Sequence, residues 1–421
     1  MINLYIKELT NKEFNSFTDT YSNYSIYQTS EYGFIMNNQN YTSVFLGLIN
    51  DTNQIIAASL ILIEKTAMFK YAYAPKGFLI DYSDKYLVEE FTRLIKEYLN
   101  KKKIMAIKIN PMIIRSSTDY SNNKTYNNPN FDDQLNFLKK LGYYHLGFNN
   151  LFEAFKPRFE AIIDISKPLN KIYESANDDL KEKVKYADSC GIRVIKGNPE
   201  EINYLYEEIK NVYPMNKKYF EDILYFFKNR NLVDYHYTKL DTNEYLRNVQ
   251  IKYQNQIEIC GDINNKLFEN VGKDNEEIIN QKIVEENKLN EIKNELVYAT
   301  NLLKENPDGI ITSTCITTKY KDEVYLFIDC YNKDFKKFNP KHLMIWKLIE
   351  LYNKQGFKRF NLGGITNPKI DNKKYNNLNE FKLSFNARGI EYIGDLELIT
   401  NNTYYTLYRN SKPIRVILHK K

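Results

Sequence analysis

Apolar and polar positions over residues 1–110 follow two periods. Thr42 to Leu48 and Ile55 to Glu64 read as paired strands around the turn Asn50-Asp51-Thr52-Asn53. Residues 10–20 and 30–37 read as helices. Tyr71 to Ile80 leads into a helix from Lys85 to Asn100, whose Leu87, Phe91, Leu94, Ile95 and Tyr98 share a face, and the strand Ile104 to Ile109 follows. This order predicts a mixed α/β layer fold. Ser116 to Asn130, polar and without periodicity, predicts a surface loop, and Asp132 to Leu141 a helix stopped at Gly142.

A second unit of similar character begins near Ala161. Ala161 to Ile165 predicts a strand, Asn170 to Ala187 one helix capped by Gly191, Ile192 to Ile195 a strand, and Glu200 to Tyr213 and Lys217 to Lys228 helices. It resumes with Ile310 to Tyr320, Glu323 to Cys330, a helix from His342 to Lys354 and the strand Phe360 to Leu362. Two copies of one α/β plan fit this order.

Between them lies the most regular segment. Leu246, Val249, Tyr253, Gln256, Cys260, Ile263 and Leu267 step by 3 and 4, and so do Leu289, Ile292, Leu296, Ala299 and Leu303, with a turn expected near Val271-Gly272-Lys273-Asp274. Such a narrow seam predicts an antiparallel helical hairpin, each arm roughly 35 Å long. The chain thus divides into residues 1–155, a second unit of 156–240 and 308–421, and an arm of 241–307.

At 421 residues the chain exceeds what one hydrophobic core serves. Its 43% hydrophobic and 27% charged residues exclude a disordered chain. MINLYIKELTNKEF has no apolar signal core and no run is long enough to span a bilayer, which predicts a soluble cytosolic protein without a transmembrane segment. Cys190, Cys260, Cys315 and Cys330 have no framework spacing, and His145, His236, His342 and His419 no metal-ligand spacing, so neither disulfide nor metal is expected. The net charge of +6 is compatible with anionic partners. The arm, with 8 Lys and Arg against 12 Asp and Glu over residues 243–305, is a poor platform for nucleic-acid phosphates.

Five segments carry a family likeness: Tyr27-Gln28-Thr29 before a helix with Tyr32; Tyr71-Ala72-Tyr73-Ala74-Pro75-Lys76-Gly77 followed by Ile80-Asp81-Tyr82; Asn110-Pro111; the helix from His342 to Lys354 followed by Gly356 to Gly364; and Phe381-Lys382 with Gly394-Asp395 beyond. In this order, with a helical hairpin inserted, they resemble the Fem (FemABX) family of peptidoglycan aminoacyltransferases, in its staphylococcal form with a coiled-coil arm. The resemblance implies two acyl-CoA N-acyltransferase-like (GNAT-like) subdomains plus the arm. It implies an aminoacyl-tRNA donor, no cofactor, and a lipid II or nucleotide-linked muropeptide acceptor at the inner membrane face, where the protein would be peripheral. Homo- or hetero-dimers with Fem-like proteins, shape recognition and a plain spacer are all open roles for the arm.

The implied reaction is aminolysis of an activated ester. It requires a neutral amine, a donor for the developing oxyanion and release of a tRNA hydroxyl, but no metal or covalent nucleophile. By the resemblance, Phe381 and Lys382 are the catalytic candidates, Lys382 supporting the ester or a phosphate of the tRNA end. Gln28, Tyr32, Tyr73, Lys76, Gly77, Asn110, Asn361, Gly363 and Gly364 are the substrate-binding candidates. Lys76-Gly77 offers a cation to a diphosphate and a close backbone approach. Lys181, Lys183 and Lys185 match a basic helix of the family but are diluted by Asp178, Asp179, Glu182 and Asp188. Glycine spacing after Arg359 does not fit an acyl-CoA pyrophosphate loop.

The chain departs from the family on the acceptor side. Met36 stands at a lysine position, Asn110 at an aspartate position before proline, and Ile223 at an arginine position. Asparagine accepts no proton at neutral pH, so the acceptor differs, or another group or solvent takes the proton, or catalysis is weak. A diverged assembly partner of a cell-wall enzyme and an N-acyltransferase with another donor are the competing readings.

Overall fold

The runs Tyr41–Ile49 and Ile55–Glu64 form the expected hairpin, with Leu46 opposite Ser59, in a computed structural model that describes residues 4–65, 70–211, 213–270 and 275–410. Lys70–Ala74 continues it antiparallel. The helix Lys85–Lys101 then crosses back, burying Val88, Phe91, Ile95 and Leu99, so that Ile104–Ile109 pairs parallel with Lys70–Ala74. The plan recurs in the second half. Val233–Leu240, Ile310–Tyr320 and Glu323–Tyr331 run antiparallel, the helix Pro340–Lys354 crosses, and Arg359–Ile365 pairs parallel with Glu323–Tyr331.

Among the described residues, seven strands form one sheet and nine the other, and the two exchange elements. Residues 116–130, expected as a loop, contribute instead the hairpin Ile114–Asp119 and Lys124–Asn127, which extends the nine-stranded sheet through Arg388–Tyr392. Its inward residues are hydroxyls: Ser116 Oγ donates to Glu391 at 2.8 Å, and Thr118 shares a 3.1 Å hydrogen bond with Thr125. Hydropathy is blind to such a strand. In return Leu396–Ile399 enters the seven-stranded sheet between Ile104–Ile109 and Tyr143–His145.

The single helix expected over Asn170 to Ala187 is two, Leu169–Ser175 and Asp178–Ser189. Ala176 is extended, and Asn177 caps the second helix by accepting from the Asp179 amide at 2.8 Å. Glu200 to Tyr213 is likewise shorter than expected, a 3-10 turn at Pro199–Ile202 and a helix over Asn203–Ile209. One hydrophobic cluster joins the halves, packing Tyr27, Tyr32 and Met36 against Phe220, Ile223 and Tyr325.

The arm consists of the helices Thr242–Glu269 and Glu276–Glu305, each longer than expected at about 42–45 Å. The turn expected at Val271 to Asp274 lies outside the described residues. The arm is inserted between Val233–Leu240 and Ile310–Tyr320, where the first half has only the turn at Asn50 to Asn53. Tyr245, Val249, Ala299 and Leu302 at its base belong to the second-half core. Farther out, buried Gln256 donates to the Glu285 carbonyl at 3.1 Å and carboxylate at 2.7 Å, a polar pin on the register. Replacing residues 254–287 by a short turn is therefore expected to leave the melting temperature of the body within about 3 °C, whereas Val249→Asp at the base lowers it by more than about 5 °C. Calorimetry of both variants checks this division.

Candidate active site

Six residues form one hydrogen-bonded path from the first half to the second. Tyr73 Oη and the Lys76 amide both donate to Asn110 Oδ1, at 3.0 and 2.8 Å. Lys76, held at φ +53°, turns its ammonium inward to Glu160 at 2.8 Å and over the Tyr392 ring at 4.1 Å. The other Glu160 oxygen accepts from Asn361 Nδ2 at 3.0 Å, and Asn361 Oδ1 accepts from the Gly363 amide at 2.8 Å. Lys76 and Glu160 are both nearly inaccessible. Lys76, expected to meet a diphosphate, is thus committed to an internal ion pair. The close approach at Gly77 is to protein: a Cβ there would lie 2.8 Å from Gln28 Nε2. Gln28 in turn clasps the chain, donating to the Pro75 carbonyl at 2.7 Å and accepting from the Leu60 amide at 2.8 Å.

Beyond Gly363 the path opens into a cavity of about 370 Å³ lined by Tyr27, Phe155, Lys156, Tyr325, Gly364 and Lys382 among others. Lys382, on the helix Asn376–Leu383, is 7% exposed and donates to the Gly364 carbonyl at 2.8 Å. It has no ion-pair partner among the described residues. Burial lowers its ammonium to about 8, a neighbouring Lys341 adds to this, and Asp329 and Glu160 oppose it. Glycine is required on the facing strand: Gly363 has φ +76°, and a Cβ on Gly364 would meet Pro157 at 2.5 Å.

Phe381 is not brought to this cavity. Successive helical side chains diverge by about 100°. Its ring packs edge-on to His342 at 5.0 Å and Phe385 at 5.5 Å and lines a separate cavity of about 490 Å³. Tyr32 is buried beneath Tyr27, their rings 5.0 Å apart.

Three residues of this region escape sequence reasoning. Glu160 joins the two halves, and its only signal is a carboxylate within the apolar run Phe159 to Ile163. Lys156 places its ammonium 3.5 Å from the Tyr27 ring centre. Glu323 lines a smaller cavity of about 210 Å³ with Lys76, Glu160 and Arg359. Burial raises its carboxyl to about 7 against the pull of Arg359. Its unfolded value is ~4.3. The stability it supports is therefore complete below that value and lost as pH rises through about 7. Glu323→Gln is expected to flatten the fall in melting temperature between pH 5 and 8. Parallel profiles for the two proteins would refute the assignment.

The buried ammonium facing a cavity of mixed aromatic and polar lining has the form of a group-transfer site that stabilises developing negative charge, with two N–H donors left after the Gly364 contact. The fold is that of FemX, whose crystal structure superposes with a TM-score of 0.73 over 96% of this chain and 99% of that one, at 21% identity. It comprises two α/β halves built on one strand plan and the inserted hairpin. The chain belongs to the FemAB family, whose model matches residues 9–412. The aminoacyltransferase FemA of Staphylococcus epidermidis is 25% identical over 419 residues, covering 97% of this chain and 99% of that protein. The aminoacyltransferase FemA of Staphylococcus aureus is 24% identical over 420 residues, covering 97% and 98%.

Proposed function

We propose that this protein is an aminoacyltransferase that moves an amino acid from tRNA to an amine of a peptidoglycan precursor, the reaction occurring at the Lys382 cavity. The observation that carries the reading is the buried Lys382 ammonium, hydrogen-bonded to a carbonyl rather than paired with a carboxylate, in a chain of the FemAB family. In the reaction the acceptor nitrogen attacks the ester carbonyl, and Lys382 donates to the oxygen as it gains charge. The amide forms as the ribose oxygen leaves. The acceptor is a lipid II-type or nucleotide-linked muropeptide. Its diphosphate is not held at Met36 or Ile223, which are buried in the shared hydrophobic cluster. No helix among the described residues is long and apolar enough to cross a membrane, so a lipid-linked acceptor is met at the membrane surface.

Incubation with radiolabelled aminoacyl-tRNAs and either lipid II or a nucleotide-linked muropeptide should yield a branched product. Failure of every pair would defeat the proposal. The apolar Met36 and Ile223 also favour a second reading, a diverged partner of a catalytic relative that associates through the arm. That reading requires arm-dependent co-purification without turnover.

A further inference from the structure

The proposed reaction leaves one proton without a carrier. Asn110, at the family's aspartate position, cannot take it, and its Oδ1 is already occupied by Tyr73 and Lys76. The phenols of Tyr27, Tyr213 and Tyr325 on the cavity wall are pushed up by burial and stay protonated at neutral pH. Asp329, also on the wall, is held by Lys341, and Glu160 by Lys76. Two lysines remain, in different settings. Lys382 is anchored to the Gly364 carbonyl at 2.8 Å. Lys156 has no hydrogen-bond or ion-pair partner among the described residues. Its nitrogen rests on aromatic faces, 3.5 Å from the Tyr27 centre and 5.5 Å from that of Tyr32.

We propose that Lys156 is the general base of this site, taking the proton from the attacking amine while Lys382 holds the ester oxygen. This rests on the aminoacyl-transfer reading given above. The neutral acceptor amine adds to the ester carbonyl, forming the C–N bond and an N-protonated tetrahedral oxyanion. Neutral Lys156 removes a proton from that nitrogen. As the carbonyl re-forms and the ester C–O bond breaks, the Lys156 ammonium returns the proton to the departing ribose oxygen, and the lysine is neutral again. Burial lowers Lys156 to about 7, with Lys76 adding to the shift and Glu160 opposing it, while Lys382 lies at about 8. Both lysines line the cavity, and the geometry divides them: Lys382 is tied to the Gly364 carbonyl, whereas Lys156 has only aromatic faces beside it and is the one free to give up and take back a proton.

The test compares Lys156→Met and Lys156→Arg with the unaltered protein, using any active pair of aminoacyl-tRNA and muropeptide acceptor from pH 5.5 to 9.5. The expected result is at least a 100-fold fall in kcat for both variants, KM within threefold, and loss of the rising limb centred near pH 7. Arginine keeps the charge but cannot act as a base, so a Lys156→Arg enzyme within threefold of full kcat would overturn the proposal. So would a limb that persists in Lys156→Met. A second readout needs no turnover: reductive [13C]methylation and NMR titration, with Lys156→Arg assigning the resonance. A midpoint above pH 9 overturns the base role directly. A midpoint near neutrality in a protein inactive with every pair overturns the aminoacyl-transfer reading instead.

Discussion

Replacing Lys76 by methionine is expected to destabilise the protein by about 3–5 kcal/mol, because it strands the Glu160 carboxylate inside the molecule. The two side chains are 5% and 3% exposed, so water cannot substitute for the lost partner. Glu160 would keep neutral donors such as the Asn361 amide at 3.0 Å but lose its ammonium partner. The Lys76→Met/Glu160→Gln double variant removes both charges and should recover at least half of the loss. Urea unfolding of the three proteins measures it. A loss below about 1 kcal/mol for the single variant would show that the pair does not act as a buried ionic bridge.

Lys382→Ala is expected to act on turnover instead, lowering kcat by about 10²–10³-fold, the usual consequence of deleting one donor to a developing oxyanion. The fold should tolerate it, since a buried ammonium without a carboxylate partner contributes little stability to offset its desolvation. Lys382→Arg should not restore the rate, because a planar fork does not fit the place of a compact ammonium 2.8 Å from the Gly364 carbonyl. Steady-state kinetics with matched melting curves separate the two effects. Turnover within threefold of the unaltered protein would remove Lys382 from the chemistry.

Segments with an apolar period are legible in the sequence. The helix Lys85–Lys101 with its buried Phe91 and Ile95 is one case, and the arm with its stepped seam is another. The illegible parts have polar interiors. Val233–Leu240 buries Asp234, His236 and Thr238, and Asp234 takes ion pairs from Lys196 at 2.7 Å and Lys319 at 2.8 Å. Ile114–Asp119 turns hydroxyls inward, and Glu160 lies in the middle of the nine-stranded sheet. In each, partners distant in the chain satisfy the buried group, and no local pattern records them. The same limit applies to the site. Lys382 and the glycines are found through motif likeness, but motif likeness joins Phe381 to Lys382, whereas helical geometry sends them to different cavities.

The traded strands bear on how this molecule is made and how it works. Leaves of a hinge need separate spines, and here each sheet contains a strip of the other half: residues 114–127 in one and Leu396–Ile399 in the other. Opening the two sheets like a book would drag those strips out of register. The traded strands therefore oppose a yawning of the halves, and it is the half-exposed Phe155 that stands between the cavity and solvent. A polypeptide ending at residue 155 would likewise be born with a raw edge along Ile104–Ile109, finding its missing strand only when the C-terminal residues are supplied.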